Sequence, residues 1–281
     1  MVFDLWVNVV TPALAQRWGA DRAAEGARAL FGDGLDSEHG ADALIAAMDE
    51  ASVDTAMVTG ALAPPEIVRA SGGLAAEDLL DLADAHPGRL LVSATVDRPD
   101  KPVTEVRRIR ELAQHPRFAM VRVTPFLAQY ELNHRLYYPV YAACAELGLP
   151  VSINIGVPGP RARSACQHPA LLEDVLIDFP GLVVVGAHMG HPYEELLVTY
   201  MLKWDTLYLS NSAYLATYMD DALVRFMGSS RGRGRVLFAS DHPVIDMGRA
   251  LEAARKLDLD DESLEEFLGA SAARLFARNL S

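Results

Sequence analysis

Eight short apolar runs, separated by longer segments rich in Ala, Leu, Glu and Arg, constrain the fold of this chain more than any other feature of its sequence. The predicted strands are Val2 to Val10, Thr55 to Thr59, Leu90 to Thr95, Ala119 to Val123, Val151 to Ile155, Val183 to Ala187, Leu207 to Leu209, and Val236 to Ala239. They are continuously apolar, as expected for a parallel sheet that helices cover on both faces. Eight consecutive strand–helix units favour a closed (β/α)8 TIM barrel, an α/β fold, over an open doubly wound sheet.

The segments between these strands have the periodicity of amphipathic helices. We predict helices over Ala41 to Ala51, Thr104 to Ala113, Tyr138 to Leu147, Pro169 to Phe179, and Asp261 to Asn279. The connection after the first strand, residues 11–39, is irregular, and we expect it to extend over the barrel mouth. No linker or low-complexity segment divides the 281 residues, so we expect residues 1–281 to form a single barrel domain with this extended loop.

Composition and charge exclude several classes of partner. The chain carries 25 Lys plus Arg against 38 Asp plus Glu, a net charge of −13, and has no Lys/Arg-rich stretch. Nucleic acids and anionic membranes require a concentrated positive field, so we expect neither as a partner. The apolar runs are of strand length and too short to span a membrane. The two cysteines, Cys144 and Cys166, form no CxxC pair, which fits a reducing compartment, and we predict a cytoplasmic protein.

Candidate site residues follow from the barrel prediction, because reacting groups in such barrels lie at the carboxyl ends of the strands. His188 directly follows the sixth predicted strand, and Asp241 comes just after the eighth. A carboxylate at the end of a buried strand requires a cation, a metal or hydrogen-bond donors. A histidine beside such a carboxylate is typical of general acid–base chemistry, so we predict that His188 and Asp241 are catalytic.

Other polar and aromatic residues at strand ends are candidates for substrate binding. Asn8 and Asn154 can orient a carbonyl or carboxylate, or bind a neighbouring backbone group. Arg122 lies inside a strand and needs a partner, which a substrate carboxylate or Asp241 could supply. The remaining candidates are Trp6, His191, Ser212 and Tyr214.

A set of motifs, in order along nearly the whole chain, resembles the amidohydrolase-2 group of the amidohydrolase superfamily, which includes aminocarboxymuconate-semialdehyde decarboxylase-like enzymes and lactone hydrolases. The motifs are Leu149-Pro150-Val151, Asp178-Phe179-Pro180, Ala187-His188-Met189-Gly190, Ser212-Ala213, and Leu237-Phe238-Ala239-Ser240-Asp241-His242-Pro243. The resemblance implies a TIM barrel that hydrolyses a C–O or C–N bond or catalyses nonoxidative decarboxylation.

The resemblance also assigns roles to individual positions. His188 matches the family's general acid/base, and Asp241 matches its metal-ligating aspartate. The family's three metal-ligating histidines are matched here by Trp6, Asn8 and Asn154. Neutral amides do not replace imidazoles as ligands of zinc. We therefore predict no tightly bound zinc, although a divalent cation, zinc or magnesium, near Asp241 remains an alternative.

The sequence thus favours an amidohydrolase-like enzyme, a hydrolase or carboxy-lyase, acting on a small cyclic or carboxylated molecule by His/Asp acid–base chemistry. Two alternatives remain open: a noncatalytic small-molecule-binding protein on the same fold, and a metal-dependent hydrolase with an unusual ligand set. Relatives are often homodimers, and the segments Tyr137-Tyr138-Pro139 and Tyr200-Met201 could belong to an interface or to the core.

Overall fold

The computed structural model describes residues 1–10, 40–70 and 72–280, and the predicted excursion at 11–39 lies outside this part of the chain. Eight parallel strands form one sheet in the order β1 to β8. The strands are β1 Phe3–Val7, β2 Thr55–Ala61, β3 Leu90–Thr95, β4 Phe118–Val123, β5 Val151–Asn154, β6 Val184–Ala187, β7 Leu207–Ser210, and β8 Val236–Leu237.

The sheet closes through hydrogen bonds between β1 and the segment that follows β8. The amide of Leu5 donates to the carbonyl of Phe238 at 3.0 Å, and the amide of Asp241 donates to the carbonyl of Trp6 at 2.9 Å. The amide of Asn8 donates to the carbonyl of His242 at 2.7 Å. The predicted (β/α)8 barrel is therefore confirmed.

Helices connect the strands on the outside of the barrel. They are α1 Ala41–Ala51, α2 Pro65–Ala70, α3 Ala76–Ala85, α4 Pro102–Leu112, α5 Pro125–Ala128, α6 Tyr138–Leu147, α7 Leu172–Asp178, α8 Glu194–Lys203, α9 Asp221–Met227, α10 Met247–Ala254, α11 Asp261–Glu265, α12 Ser271–Leu275, and α13 Ala277–Leu280. None of the helices in the described part of the chain combines the length and the apolarity needed to cross a membrane.

Two apolar clusters account for the packing. The larger one joins the outward faces of the strands to the helices, with Val58 and Val92 packed among residues such as Leu44 and Leu79. The smaller one fills the barrel interior with side chains from six strands, and it includes Phe276 of the C-terminal region. Apolar side chains thus occupy both faces of the strands, and the polar groups lie at the carboxyl ends of the strands, at the barrel mouth.

Strand β8 is shorter than the predicted Val236 to Ala239 because its last backbone donors bond outside the strand ladder. The amide of Phe238 donates to the carbonyl of Phe267 at 3.0 Å. The amide of Ala239 donates to Oδ1 of Asn211 at 2.9 Å, and that of Ser240 donates to Oδ1 of Asp4 at 2.9 Å. Just before the turn that carries Asp241, side-chain oxygens thus accept the backbone hydrogen bonds that a neighbouring strand would otherwise accept.

The prediction of one continuous helix over Asp261 to Asn279 is wrong. A π-helical turn, Glu266–Ala270, separates α11 from α12, and the backbone leaves helical geometry at Gly269. A Cβ atom at Gly269 would lie 2.6 Å from the carbonyl oxygen of Met1 and 2.7 Å from the amide nitrogen of Phe3. The helix is interrupted where the chain packs closely against the start of β1.

The segments considered for an interface are only partly buried in the chain itself. Tyr137, Tyr200 and Met201 are buried, as are both cysteines, which are free thiols. Tyr138 is half-buried and Pro139 is exposed, so part of the first segment lies on the surface.

Candidate active site

The predicted catalytic residues lie at the ends of β6 and β8, where the strands open into loops. His188 follows β6 directly, and Asp241 follows β8 by four residues. Trp6 comes from β1, with its ring centroid 5.1 Å from that of His188. In a (β/α)8 barrel this carboxyl-terminal end is where catalytic groups gather.

Both ring nitrogens of His188 are engaged. Nδ1 donates to the carbonyl oxygen of Ser212 at 2.9 Å, and Nε2 accepts from Nδ2 of Asn154 at 3.0 Å. Burial lowers the pKa of His188 to about 4, against the opposing effect of the Ser212 hydrogen bond, and the charge of Arg122 lowers it further. His188 is therefore neutral at pH 7, with its proton on Nδ1.

Asp241 is held by an amide from the far end of the sequence. Nδ2 of Asn8 donates to Oδ1 of Asp241 at 2.9 Å and to the carbonyl of His242 at 3.0 Å. Burial raises the pKa of Asp241 to about 7, although the Asn8 hydrogen bond and the charge of Arg122 act in the opposite direction. This carboxyl group can therefore carry a proton near neutral pH.

Arg122 is a fully buried cation between these groups and β1. Its Nε donates to Oγ of Ser93 and its Nη2 to the carbonyl of Leu5, both at 2.8 Å. The guanidinium carbon lies 3.5 Å from the ring centroid of Trp6, in cation–π contact. Burial lowers the pKa of Arg122 to about 9, opposed by the charges of Asp241 and Asp4. Within the described residues, Nη1 of Arg122 has no hydrogen-bond partner.

Strained backbone is concentrated in the same region. His188, Met189, Ala213 and Asp241 have φ values of 61°, 56°, 64° and 64°, all in the left-handed region that non-glycine residues disfavour. Each such residue costs on the order of 1–3 kcal/mol and persists only where its surroundings enforce it. The turns after β6, β7 and β8 are therefore imposed by the fold, which is typical of functional sites.

A buried carboxylate in β1, which the sequence analysis did not single out, supports the Asp241 turn. Oδ1 of Asp4 accepts from the amides of Ser240 at 2.9 Å and of Trp6 at 3.2 Å. Burial raises the pKa of Asp4 to about 6, while these hydrogen bonds oppose the shift. An acidic residue inside an otherwise apolar strand was the available sequence signal for it.

A cavity of about 510 Å³ adjoins these strand ends. Two predicted residues, His191 and Tyr214, line it together with Ala213, Leu215, Tyr218, Val244, Ile245 and Arg249. The cavity lies beside the site: Ala213 follows Ser212 in the chain, and the amide of Val244 donates to the carbonyl of Asp241 at 2.9 Å. Sequence reasoning missed Arg249, which lies in helix α10 and carries no strand-end signal.

The donor set does not fit a metal ion of the kind that the family resemblance implies. Within residues 1–10, 40–70 and 72–280, no group of three or more His, Cys, Asp or Glu side chains could hold a metal ion. The amide groups of Asn8 and Asn154 instead point their N–H donors at Asp241 and His188. The imidazole nitrogen has a single lone pair, so Nε2 of His188, which accepts from Asn154, is not available to a cation.

Comparison with known proteins identifies the family. The family described as amidohydrolase matches residues 37–278, and the chain belongs to it. The family predicted from the motifs is thus confirmed, and this membership supports the prediction of an enzyme of the hydrolase or carboxy-lyase type. A comparison with curated proteins gives no match.

Three solved structures illustrate the fold. The TIM-barrel protein Bb4693 from Bordetella bronchiseptica is 19% identical, with a TM-score of 0.79 and 99% of each chain covered. The 5-carboxyvanillate decarboxylase from Sphingomonas paucimobilis is 17% identical, with a TM-score of 0.72 and 98% of each chain covered. A dihydroxybenzoic acid decarboxylase from Polaromonas, with bound manganese and the inhibitor 2-nitroresorcinol, is 16% identical, with a TM-score of 0.73; 100% of this chain and 98% of that chain are covered.

Proposed function

We propose that the protein is an enzyme that acts on a small cyclic or carboxylated molecule by proton transfer involving Asp241 and His188, by hydrolysis or nonoxidative decarboxylation, without tightly bound zinc. One observation carries the proposal: Asn8 and Asn154 hydrogen-bond Asp241 and His188 at the barrel mouth, next to the buried cation Arg122. These contacts hold the two titratable groups in place through neutral amides.

Decarboxylation is the reaction that these groups support more directly. It exchanges carbon dioxide for a proton at carbon, so it needs a proton donor and no activated water. Asp241, with its pKa raised to about 7, can supply that proton. Hydrolysis would instead require activation of water, which a bound cation ordinarily provides.

His188 is neutral and takes part in the proton transfer with a ring whose orientation Ser212 and Asn154 determine. The remaining residues bind and orient the substrate. Arg122 supplies a fixed positive charge that can stabilise negative charge developing on the substrate. Trp6 covers the guanidinium, and Tyr214 and His191 line the adjoining cavity.

Manganese in the dihydroxybenzoic acid decarboxylase structure favours a second candidate, a metal-dependent enzyme with an unusual ligand set. Asp241 and His188 would be its protein ligands, and the cation would polarise a substrate oxygen. The donor set argues against it, because Nε2 of His188 already accepts an amide N–H group. A noncatalytic binding protein is the third candidate, and the strained turns at His188 and Asp241 argue against it.

A combined activity and metal analysis tests the proposal. We would assay purified protein with 2,6-dihydroxybenzoate, 5-carboxyvanillate and an aryl lactone, with added manganese or with EDTA, and measure zinc and manganese per chain. We expect turnover that EDTA leaves intact and well below one metal ion per chain. Asp241→Asn and His188→Ala should lower kcat/KM by about 10²- to 10⁴-fold.

The matched control is His115→Ala, which removes a histidine of a surface pair with Asp84. It should retain wild-type turnover. Near one metal ion per chain that is lost in Asp241→Ala, or activity that one cation restores after chelation, would overturn the metal-free proposal. Turnover that survives both site variants would overturn the assignment of His188 and Asp241.

We also propose that the protein is cytoplasmic and homodimeric. Gel filtration with light scattering tests the oligomeric state.

A further inference from the structure

A second histidine–carboxylate pair lies at the barrel mouth, separate from His188 and Asp241. Nδ1 of His191 is 2.7 Å from Oε1 of Glu194. The side chain of Glu194 is only 5% exposed, whereas that of His191 is 43% exposed. A carboxylate this well buried beside Nδ1 favours the tautomer with its proton on Nδ1, so Nε2 is left as the basic atom.

The position of His191 is determined by the backbone around it. Its carbonyl oxygen accepts from the amide of Val157 at 2.8 Å, and its amide donates to the carbonyl of His188 at 3.1 Å. The ring packs against Tyr214, with centroids 5.2 Å apart. His191 is thereby held in the wall of the cavity that adjoins the proposed active site.

The two histidines at this site differ in their capacity to accept a proton. Nε2 of His188 already accepts from Asn154. Among the described residues, the only side-chain hydrogen bond of His191 is the one to Glu194, which uses Nδ1. A histidine with a carboxylate on one ring nitrogen and an open second nitrogen has the arrangement of an oriented general base.

A positively charged residue in the cavity wall can stabilise the anion that forms when such a base removes a proton from a substrate. Arg249 also lines the cavity, and its side chain forms no hydrogen bond or ion pair with any residue that the structure describes. The other described residues that line the cavity are apolar or aromatic, so a ring can pack among them. A hydroxyl group on that ring would lose its proton more readily near this cation.

We propose that His191, oriented by Glu194, is a second acid–base residue, which accepts the proton of a hydroxyl group on a cyclic substrate bound in this cavity. The proposal rests on the proposed function, since it concerns the same substrate. Nε2 of His191 takes the hydroxyl proton, and the oxygen's electron pair delocalises into the ring while Asp241 donates a proton to the carbon that bears the carboxylate. The carbon–carboxylate bond then breaks, carbon dioxide leaves, the bonding pair returns to the ring, and His191 returns its proton to the oxygen. Solvent reprotonates Asp241.

Nitrogen-15 NMR of the histidine side chains tests the contact without requiring turnover. The probes are resorcinol, 2,6-dihydroxybenzoate and benzoate, and the His191 signals are assigned with His191→Gln. We expect the Nε2 signal of His191 to shift with the two hydroxylated probes and less with benzoate. His115, which pairs with Asp84 on the surface at 3.2 Å, should not respond. Absence of any shift of His191 with either hydroxylated probe would overturn the proposal.

Kinetics on 2,6-dihydroxybenzoate then separate this proposal from the proposed function. We expect His191→Gln to lower kcat about 100-fold with a smaller change in KM, and Glu194→Gln, which retains the hydrogen bond but loses the charge, to lower it about tenfold. Imidazole should partly restore His191→Gly, an effect that a merely structural histidine would not give. His115→Gln should match the wild type.

Two results distinguish failure of the role of His191 from failure of the proposed function. Wild-type kcat in a folded His191→Gln variant, with activity lost in His188→Ala, would overturn the role of His191 alone. No turnover by the wild type, together with a resorcinol-dependent shift of His191, would overturn the proposed function and support the cavity contact. Circular dichroism and thermal melting establish that each variant is folded.

Discussion

At the scale of single residues, buried charge dominates the barrel mouth. Asp4 and Arg122 are buried, and Asp241 is partly buried. Burial has the largest effect on each of the three pKa values. Hydrogen bonds are the larger opposing effect for Asp4 and Asp241, and the opposite charges also act against all three shifts. Because one guanidinium serves two carboxyl groups, its removal should affect both stability and the protonation of Asp241.

We predict that Arg122→Met destabilises the protein by about 3 kcal/mol at pH 8, because two carboxylates then lose their buried counter-charge. The charge of Arg122 lowers the pKa of both carboxyl groups, so its contribution to stability is present at high pH. It is lost as the pH falls through about 7 and about 6, the pKa values of Asp241 and Asp4. Urea unfolding at pH 8 and pH 5 measures the difference.

Arg110→Met is the matched control for that experiment. Arg110 pairs with Glu146 at 3.1 Å on the surface, where both side chains are more than half exposed. Its loss should change the free energy of unfolding by less than about 1 kcal/mol at either pH. An Arg122→Met variant as stable as this control at pH 8 would show that Arg122 does not balance the buried carboxylates.

At the scale of elements, the loops after β5 and β6 are joined by a close backbone contact. Gly156 has φ +87°, and a Cβ atom there would lie 2.4 Å from the carbonyl oxygen of His191. The loop after β5 therefore determines where His191 sits.

We predict that Gly156→Ala destabilises the protein by about 2 kcal/mol or more, because alanine disfavours the left-handed region and the methyl group must displace the His191 turn. The same variant should lower turnover, since His191 moves. Thermal unfolding and kinetics measure the two effects.

Gly181→Ala offers a comparison at a glycine where no atom lies within 4 Å of the added Cβ. We expect a change within about 0.5 kcal/mol and wild-type kinetics. If Gly156→Ala behaves in the same way, the close packing of the two loops does not constrain the site.

At the scale of the whole molecule, the two ends of the barrel have different roles, one in the chemistry and one in stability. The polar groups lie at the carboxyl ends of the strands, while the C-terminal helices pack near the start of β1, with the rings of Phe3 and Phe276 5.7 Å apart. In such barrels the first end carries the chemistry and the second contributes stability. The net charge of −13 does not distinguish the two ends, because few charged residues are buried at the barrel mouth.

We therefore predict that Phe276→Ala lowers the free energy of unfolding by about 3–5 kcal/mol, because it leaves a cavity in the barrel interior. At a temperature where the variant is folded, its kcat and KM should equal those of the wild type. Ile177→Ala, at a position 63% exposed, should change stability by less than about 0.5 kcal/mol. A kinetic defect in folded Phe276→Ala would contradict the separation of the two ends.

By itself the sequence determined the number and order of the strands, the barrel, the family, and the positions of His188 and Asp241 at strand ends. These follow from local periodicity and from one rule that places strand ends at a common mouth. Prediction was weaker where contacts with distant residues override the local pattern, as in the early end of β8 and the π-helical turn before α12.

Only the tertiary structure decided which side chains meet. Asn8 and Asp241 are 233 positions apart, and closure of the barrel alone brings them to 2.9 Å. The same closure buries Arg122 under Trp6, and the fold of the β6 turn directs Glu194 to Nδ1 of His191. Hydrogen-bond partners and burial depend on distances between segments that are remote in the sequence. They in turn determine the pKa values and the groups available to a ligand, so no local sequence pattern could have predicted either.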